Sequence, residues 1–404
     1  MTKRTAQPPS QLDTTLGVTF PRGFTAAGVR CGIKASGSPD LAIVAGPAGT
    51  VAVGAFTTNL VVAAPVTWSR RLLAGSADAR AVVLNAGNAN ACTGPAGERD
   101  AAAMASLTAG PLGVEPAQVL VCSTGVIGVP LPMDRVTDGI AKAAAGLSPD
   151  GGAAAAEAIL TTDTRTKQAG LTVDGARFGS MAKGAAMLAP AMAPPHATML
   201  AVVTTDAVAE PGDLRAATAA AVVPSFNRIT VDGSQSTNDT VLVLASGASG
   251  VRLDRDALTA ALTAVCGSLA GQMLADAEGA TKVFAVTVTG ADDEAAAEAV
   301  ARRVADSPLV KAAVHGGDPN WGRVLQAAGT AGVAFDPARV RLTLGPNLLV
   351  DGGVPVPIDE GEAATAMTDG LEFRLDLGAG PAEATVRGCD LTADYVHLNA
   401  DYTT

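Results

Sequence analysis

Aromatic residues are scarce in this sequence. They make up 3% of its 404 residues, whereas hydrophobic residues together make up 48%. A large core can therefore form, but small and β-branched side chains must fill it at the usual packing density. Taking about 150 residues as a typical domain, a chain of this length is expected to form two or three compact units.

Cysteine and histidine are also few. The five cysteines are odd in number, widely spaced and without a CxxC pair. This pattern favours reduced thiols in a cytoplasmic protein over a disulfide framework or a zinc site. The three histidines, His196, His315 and His397, lack HExxH spacing. We therefore expect no metal site, and a metal hydrolase is disfavoured.

Positive charge is lacking too, since the net charge is −11. An acidic chain is a poor partner for nucleic acid, which binds basic surfaces. The N-terminal segment has no apolar run of the signal-peptide kind. No stretch reaches the roughly 18 apolar residues of a membrane span without Gly, Pro or charge. The sequence thus predicts a cytoplasmic protein that binds neither nucleic acid nor a membrane.

Strand and helix patterns alternate along the chain, which predicts an α/β fold. Apolar strands are predicted at 79–87, 118–128, 198–207, 225–233, 239–247 and 283–291. Helices are predicted at 98–110, 133–147 and 151–163, and a long helix is expected to follow Asp254 as N-cap and to run to about 282. The alternating segments 371–378 and 382–390 are typical of a hairpin. The C-terminal "YVHLNADYTT" alternates like a docked strand.

Two turns contain residues that suit a reaction site. "CSTGVIG" places Thr124 and Gly125 at the end of a strand, where successive N–H groups can form an oxyanion hole, although most such turns are structural. "NAGNANACTG" has three asparagines, which we interpret as a loop held by side-chain hydrogen bonds.

Two charged residues stand in small-residue surroundings. Lys183 in "SMAKGAAML" either pairs with a substrate carboxylate or is a solvated loop lysine. Glu278 is expected near the C-terminus of the long helix, where the helix dipole disfavours a carboxylate. That mild conflict favours a function for Glu278, although single examples of such a carboxylate are common.

The stretch "AMAPPHATMLAVV" changes abruptly from a proline-rich loop to an apolar strand. The change falls between Ala197 and Thr198. Two interpretations remain open from the residues alone: a loop that enters a core strand, or a threonine nucleophile at a strand edge.

Ten ordered blocks, from "GIKASGSPDLAIV" through "TTD", "VDGSQSTNDT", "DAEGATK" and "DPNWGR" to "YVHLNADYTT", resemble the ornithine acetyltransferase (glutamate N-acetyltransferase) family. The resemblance covers about residues 28–404. It implies an α/β/β/α sandwich related to N-terminal-nucleophile hydrolases and a precursor that cuts itself between Ala197 and Thr198. The products would be an α chain, 1–197, and a β chain, 198–404, assembled as α2β2.

The resemblance also implies a mechanism. Thr198 would be the nucleophile, with its own amine as base, because a free α-amino group titrates at about 7.7–8.0. An acetyl group would pass from N2-acetylornithine to glutamate in arginine biosynthesis without a cofactor, although acetyl-CoA is a possible second donor. Thr124 and Gly125 would form the oxyanion hole. The implied substrate-binding residues are Thr161, Thr162, Lys183, Thr198, Glu278, Asn399 and Thr404.

One departure from the family pattern precedes the nucleophile. Lys183 and Thr198 are fifteen positions apart, which implies a short Pro- and His-bearing insertion. We interpret His196 as an insertion residue without a catalytic role. Two other functions remain as alternatives: an aminopeptidase or amidase of the same architecture with water as acceptor, and a binding protein without activity.

Overall fold

The computed structural model describes residues 11–189, 191–193, 199–368 and 370–401. These residues form two compact units. The first contains the described residues up to Asn227 together with Gln235–Met273, and the second contains Arg228–Ser234 and the described residues from Leu274 onward. The predicted division at Ala197-Thr198 concerns chain cleavage, and both residues lie outside the described ranges.

The first unit combines short strands with helices of seven to twenty residues. Its strands are β1 Thr25–Val29, β2 Leu41–Ala45, β3 Val51–Thr57, β4 Ala81–Asn88, β5 Val119–Val126, β6 Lys167–Val173, β7 Ala176–Lys183, β8 Ala191–Ala193, β9 Leu200–Thr205 and, after β10 of the other unit, β11 Thr240–Ala245. Its helices are α1 Ala64–Gly75, α2 Gly94–Leu112, α3 Met133–Ala145, α4 Gly152–Ala158, α5 Pro211–Val222 and α6 Arg255–Leu274, which ends in the second unit.

The second unit contains strands of two to nine residues. Its strands are β10 Ile229–Thr230, β12 Val283–Ala291, β13 Arg341–Leu344, β14 Asn347–Asp351, β15 Val354–Pro355, β16 Leu371–Asp376 and β17 Ala382–Cys389. Its helices are α7 Glu294–Ala305, α8 Pro308–Gly316, α9 Trp321–Ala328, α10 Glu360–Thr365 and α11 Ala393–Asp401.

Two sheets face each other in the first unit. Among the described strands, one sheet has the order β1-β2-β4-β5 and the other the order β6-β7-β9-β11-β3-β8. Alternate residues from both sheets, such as Val82 and Leu120 on one and Val202 and Leu242 on the other, share one buried cluster. Because successive strand residues point to opposite faces, this cluster fills the space between the sheets.

Helices cover the outer faces of both sheets. Val83 of β4 packs with Met104 of α2 and Ile140 of α3 on the far side of the smaller sheet. On the larger sheet α5 packs on β3, and Arg255 of α6 pairs with Asp213 of α5 at 2.8 Å. The layers therefore run helix, sheet, sheet, helix, and the predicted α/β/β/α sandwich is confirmed.

The second unit has one sheet with the order β10-β17-β12-β16-β13-β14-β15 among the described strands. Val286 of β12 pairs with Phe373 of β16 in parallel and with Val386 of β17 in antiparallel orientation. The predicted hairpin of 371–378 with 382–390 is therefore wrong, because β12 lies between its two strands. A central apolar strand such as β12 is buried when a strand pairs with each of its edges. The stabilisation from this burial outweighs that from pairing two strands that are neighbours in sequence.

Two further local predictions are wrong. The segment 225–233 forms a 3₁₀ turn followed by the two-residue strand β10, not a full strand. The C-terminal segment is helix α11, not a docked strand. Tyr395 and Asn399 are four residues apart, and residues with this spacing lie on the same face of a helix.

The long helix α6 begins as predicted, since the Asp254 carboxylate accepts a hydrogen bond from the Ala257 amide at 2.9 Å. Among the described residues, α6 is also long and apolar enough to cross a membrane, with a mean hydropathy of 1.5, and half of that window is buried in the protein. Core helices pass the same test, so this is weak evidence for a span.

Candidate active site

The ends of β4 and β5 form a tight turn pair in the first unit. The strands are parallel, and Gly87 is the register partner of Gly125. Gly125 has φ +131°, and a Cβ added to it would lie 2.3 Å from the carbonyl carbon of Gly87. Glycine is therefore required at 125, because any side chain would force the two backbones apart.

A network of asparagine side chains holds this turn. Ser123 donates through its hydroxyl to Asn85 Oδ1 at 2.6 Å, and Asn85 Nδ2 donates to the carbonyl of Asn88 at 2.8 Å. The Asn90 amide in turn donates to Asn88 Oδ1 at 2.8 Å. The interpretation of "NAGNANACTG" as a loop held by its asparagines is confirmed.

Asn238 joins the two sheets at the same place. It lies just before β11, is buried, and its Nδ2 donates to the carbonyls of Ala89 at 2.6 Å and Ser123 at 2.8 Å. The Ser123 carbonyl belongs to the peptide whose N–H comes from Thr124, so Asn238 fixes the orientation of that peptide. The sequence alone did not predict a role for Asn238, because only its position within the block "VDGSQSTNDT" distinguishes it from other asparagines.

Lys183 and Thr124 meet at this turn. Lys183 Nζ donates to Thr124 Oγ1 at 3.2 Å, and the two residues are only 4% and 5% exposed. Lys183 ends β7, opposite Leu200 of β9. Leu200 follows Thr198 by two positions in the sequence. The alternative of a solvated loop lysine is wrong.

Asp163 supplies the negative charge beside this lysine. It accepts from Lys167 Nζ at 2.6 Å, from the Gly184 amide at 2.7 Å and from the Thr161 amide at 3.1 Å. Burial alone would raise the pKa of the Asp163 carboxyl, but the charges of Lys183 and Lys167 outweigh burial and lower that pKa to about 2. The carboxylate is therefore ionised at neutral pH.

The two threonines of the "TTD" block differ in their surroundings. Thr161 is half-buried and lies against Asp163, whereas Thr162 is exposed. Asp163 follows them in the same block, but the sequence alone did not predict a role for its carboxylate.

A second carboxyl is buried near the start of β9. Among the described residues, neither oxygen of Asp239 has a hydrogen bond of good geometry, and Asp239 is fully buried. Burial raises the pKa of the Asp239 carboxyl well above its ordinary value, and the Met199 and Ser236 amides and the charge of Lys183 lower it only in part. Asp239 thus lies beside Met199, the residue after Thr198 in the sequence.

Glu278 and Asn399 come together in the second unit. Asn399 Nδ2 donates to Glu278 Oε2 at 2.8 Å and to the carbonyl of Tyr395 at 3.0 Å. Glu278 does not lie at a helix C-terminus as predicted, because α6 already ends at Leu274. It stands in a turn whose Gly279 approaches α11 so closely that a Cβ there would lie 2.4 Å from the Tyr395 amide.

Four residues named from the sequence lie outside the described residues: Ala197, Thr198, Thr404 and His196. The position of the nucleophile thus stays a prediction. Within the described ranges, no group of three or more His, Cys, Asp or Glu side chains could hold a metal ion.

Comparisons with known proteins bear on this arrangement. The family model of the ArgJ family matches residues 25–404. The "arginine biosynthesis bifunctional protein ArgJ" of Symbiobacterium thermophilum is 51% identical over 406 residues, covering 96% of this chain and 98% of the relative. The protein of the same name from Streptomyces coelicolor is 49% identical over 390 residues, covering 96% and 100%.

Solved structures are similar to part of the chain. An ornithine acetyltransferase complexed with ornithine, from Mycobacterium tuberculosis, is 45% identical, with 46% of this chain and 100% of that chain covered and a TM-score of 0.43. The family model and the curated relatives span nearly the whole sequence, so this chain belongs to the ArgJ family.

Proposed function

We propose that the protein is a glutamate N-acetyltransferase of arginine biosynthesis. It moves the acetyl group of N2-acetylornithine to glutamate through an acetyl ester on Thr198. Membership in the ArgJ family supports this acyltransferase over the aminopeptidase or amidase alternative. The names of the relatives, a bifunctional protein of arginine biosynthesis and an ornithine acetyltransferase, agree with this reaction.

The single observation that carries the proposal is the buried contact of Lys183 with Thr124 beside Gly125. A hydroxyl and a strained glycine amide suit the oxyanion of a tetrahedral intermediate, since fixed donors stabilise charge that develops in the transition state. A buried ammonium next to them suits the carboxylate of an amino-acid substrate.

The reaction proceeds in two half-reactions. The amine of Thr198 accepts the proton of its own hydroxyl, and Oγ attacks the acetyl carbon of N2-acetylornithine. The intermediate collapses, the C–N bond breaks, and ornithine leaves with the proton. The α-amine of glutamate then attacks the ester carbonyl, the C–Oγ bond breaks, and Oγ recovers a proton. One amide is exchanged for another, so no nucleotide is consumed.

The family resemblance supplies the other predicted substrate-binding residues, and their charges suggest a role for each. Lys183 takes the α-carboxylate common to both substrates, and Glu278 takes an ammonium group. Asn399 and Thr404 donate and accept hydrogen bonds to the same amino acid. Thr161 and Thr162 complete the pocket.

Maturation precedes catalysis in this proposal. The precursor cuts itself between Ala197 and Thr198, which frees the amine that the mechanism needs, and the chains 1–197 and 198–404 assemble as α2β2. The protein needs no resident cofactor, uses acetyl-CoA as a second acetyl donor to glutamate, and works in the cytoplasm.

The test is to incubate purified protein with N2-acetylornithine in the presence and absence of glutamate. A transferase forms N-acetylglutamate only when glutamate is present, and without glutamate it releases no more than the one equivalent of ornithine that accompanies formation of the acetyl ester. A hydrolase releases ornithine and acetate without it, and either that result or no turnover at all would overturn the proposal. A parallel incubation of acetyl-CoA with glutamate tests the second donor.

A further inference from the structure

A second lysine is fixed at the same turn. Lys34 belongs to the loop 31–40, which the buried Asp40 carboxylate organises by accepting backbone N–H groups. The four donors and their distances are Cys31 2.7 Å, Gly32 3.0 Å, Ile33 2.6 Å and Lys34 3.1 Å. A loop closed on one carboxylate in this way holds the Lys34 backbone in a single position.

The side chain of Lys34 runs across the turn that contains Gly125. A Cβ added to Gly87 would lie 3.0 Å from Lys34 Cγ, and Gly87 is the register partner of Gly125. Lys34 Nζ donates to the carbonyl of Pro39 at 2.5 Å. An ammonium has three donors, so among the described residues two N–H groups remain for a ligand.

Lys34 and Lys183 both lie at the paired ends of β4 and β5, Lys34 beside Gly87 and Lys183 at Thr124 Oγ1. Burial lowers the pKa of the Lys34 ammonium, the carboxylates of Asp40 and Asp163 oppose that effect, and the charge of Lys183 adds to it. Lys183 has Asp163 beside it to offset its charge. In a chain with net charge −11, two buried or half-buried lysines that act on each other indicate a ligand with more than one negative group.

The substrates of the proposed exchange differ in this respect. Both carry an α-carboxylate. Glutamate has a second carboxylate on its side chain, whereas N2-acetylornithine has an ammonium there. One cation is enough for the shared group, and a second cation is useful only to glutamate.

We propose that Lys34 determines acceptor specificity by binding the side-chain carboxylate of glutamate, while Lys183 binds the α-carboxylate. This inference rests on the proposed function. In this role Lys34 binds a group that takes no part in the exchanged bond, so it governs binding of one substrate and not the chemistry common to both.

The experiment measures KM for glutamate and KM for N2-acetylornithine in the wild type, K34M, K34Q and K34R. Loss of a charged hydrogen bond corresponds to about a tenfold to hundredfold loss of binding. We expect KM for glutamate to rise by that factor in K34M and K34Q, with KM for N2-acetylornithine changed by less than about threefold. K34R keeps the charge and should recover most of the glutamate affinity. The matched control is K142M, at an exposed lysine of α3.

A KM does not depend on the fraction of enzyme that is folded, so partial misfolding of a variant does not obscure the comparison. Glutamine as acceptor gives a second measurement: the wild type should prefer glutamate over glutamine by a larger factor than K34Q does. Equal changes of both KM values, or an unchanged KM for glutamate, would overturn the role of Lys34. Absence of transfer in the wild type would overturn the proposed function itself, so the two failures are distinguishable.

Discussion

Lys183 Nζ donates a hydrogen bond to Thr124 Oγ1 at 3.2 Å, although the two residues are 59 positions apart. Thr124 lies near the end of β5 in the smaller sheet, and Lys183 is the last residue of β7 in the larger sheet. The contact therefore crosses the space between the sheets, and it brings a hydroxyl donor and an ammonium to one point.

Thr124→Ala should lower kcat steeply with a smaller effect on KM. Removing one oxyanion donor typically costs about 10²–10³ in rate. Steady-state kinetics of acetyl transfer provide the measurement, and Thr137→Ala, at an exposed threonine of α3, is the matched control. A change confined to KM would instead make Thr124 a pocket residue.

Thr198→Ala should remain a single chain without transfer activity, because it lacks the hydroxyl for both cleavage and catalysis. Intact-mass analysis of the wild type should give two fragments, the second beginning at Thr198. Thr198→Ser keeps a hydroxyl and should still cleave. Any other mature N-terminus contradicts the assignment of the nucleophile.

Gly125→Ala should abolish transfer and destabilise the fold. Gly125 has φ +131°, and the new Cβ would lie 2.3 Å from the Gly87 carbonyl carbon. Neither backbone can move far enough to relieve this clash. Gly212→Ala is the control, because a Cβ there meets nothing within 4 Å on helix α5 and should stabilise the protein by about 0.5–1 kcal/mol. Thermal unfolding and activity are compared for both, and a fully active Gly125→Ala enzyme would contradict the close approach.

Asp163→Asn should destabilise the protein at pH 7 by about 3–5 kcal/mol, because it leaves the fully buried Lys167 without its carboxylate. The pKa of Asp163 is lowered from 3.8 to about 2 on folding. Its ionised form thus stabilises the fold above about pH 3.8, and this contribution is lost as the pH falls through about 2.

Melting temperatures between pH 5 and pH 2, in steps of about half a unit, provide the measurement for Asp163. The melting temperature of the wild type should approach that of Asp163→Asn as the pH falls through this window. Asp150→Asn, at an exposed carboxylate, should follow the wild type. A constant difference between wild type and Asp163→Asn at all pH values would contradict the lowered pKa.

Asn399→Ala should raise KM for both substrates while self-cleavage persists. Asn399 Nδ2 holds Glu278 Oε2 at 2.8 Å, so its loss releases the carboxylate that we assign to a substrate ammonium. Kinetics with N2-acetylornithine and glutamate test this, with Asp401→Ala, at an exposed residue of the same helix, as control. Unchanged kinetics would remove Asn399 from the pocket.

Local pattern was sufficient for much of the fold. The apolar runs that became β4, β5, β11 and β12 were assigned within about two residues at each end, the usual uncertainty of helix and strand ends. Asp254 was recognised as a helix N-cap. In each case residues adjacent in sequence set the outcome, through side-chain alternation or a cap that bonds three residues on.

Pairing over long distances was not predictable in the same way. The strands β16 and β17 alternate like a hairpin, yet each pairs with β12 instead. The C-terminal segment alternates like a strand, yet forms α11. Short segments fit more than one structure, and the choice depends on which apolar edges they meet in the folded chain.

The sequence by itself determined the family and the mixed α/β class and predicted Thr124, Gly125 and Lys183 as candidate site residues, because these depend on ordered motifs and local backbone requirements. Only the tertiary structure decided that Lys183 is buried and that Asp163, Asn238 and Lys34 lie around these candidates. Their roles arise from burial and charge contributed by segments far apart in the chain, which change hydrogen bonding and pKa only once the sheets have packed.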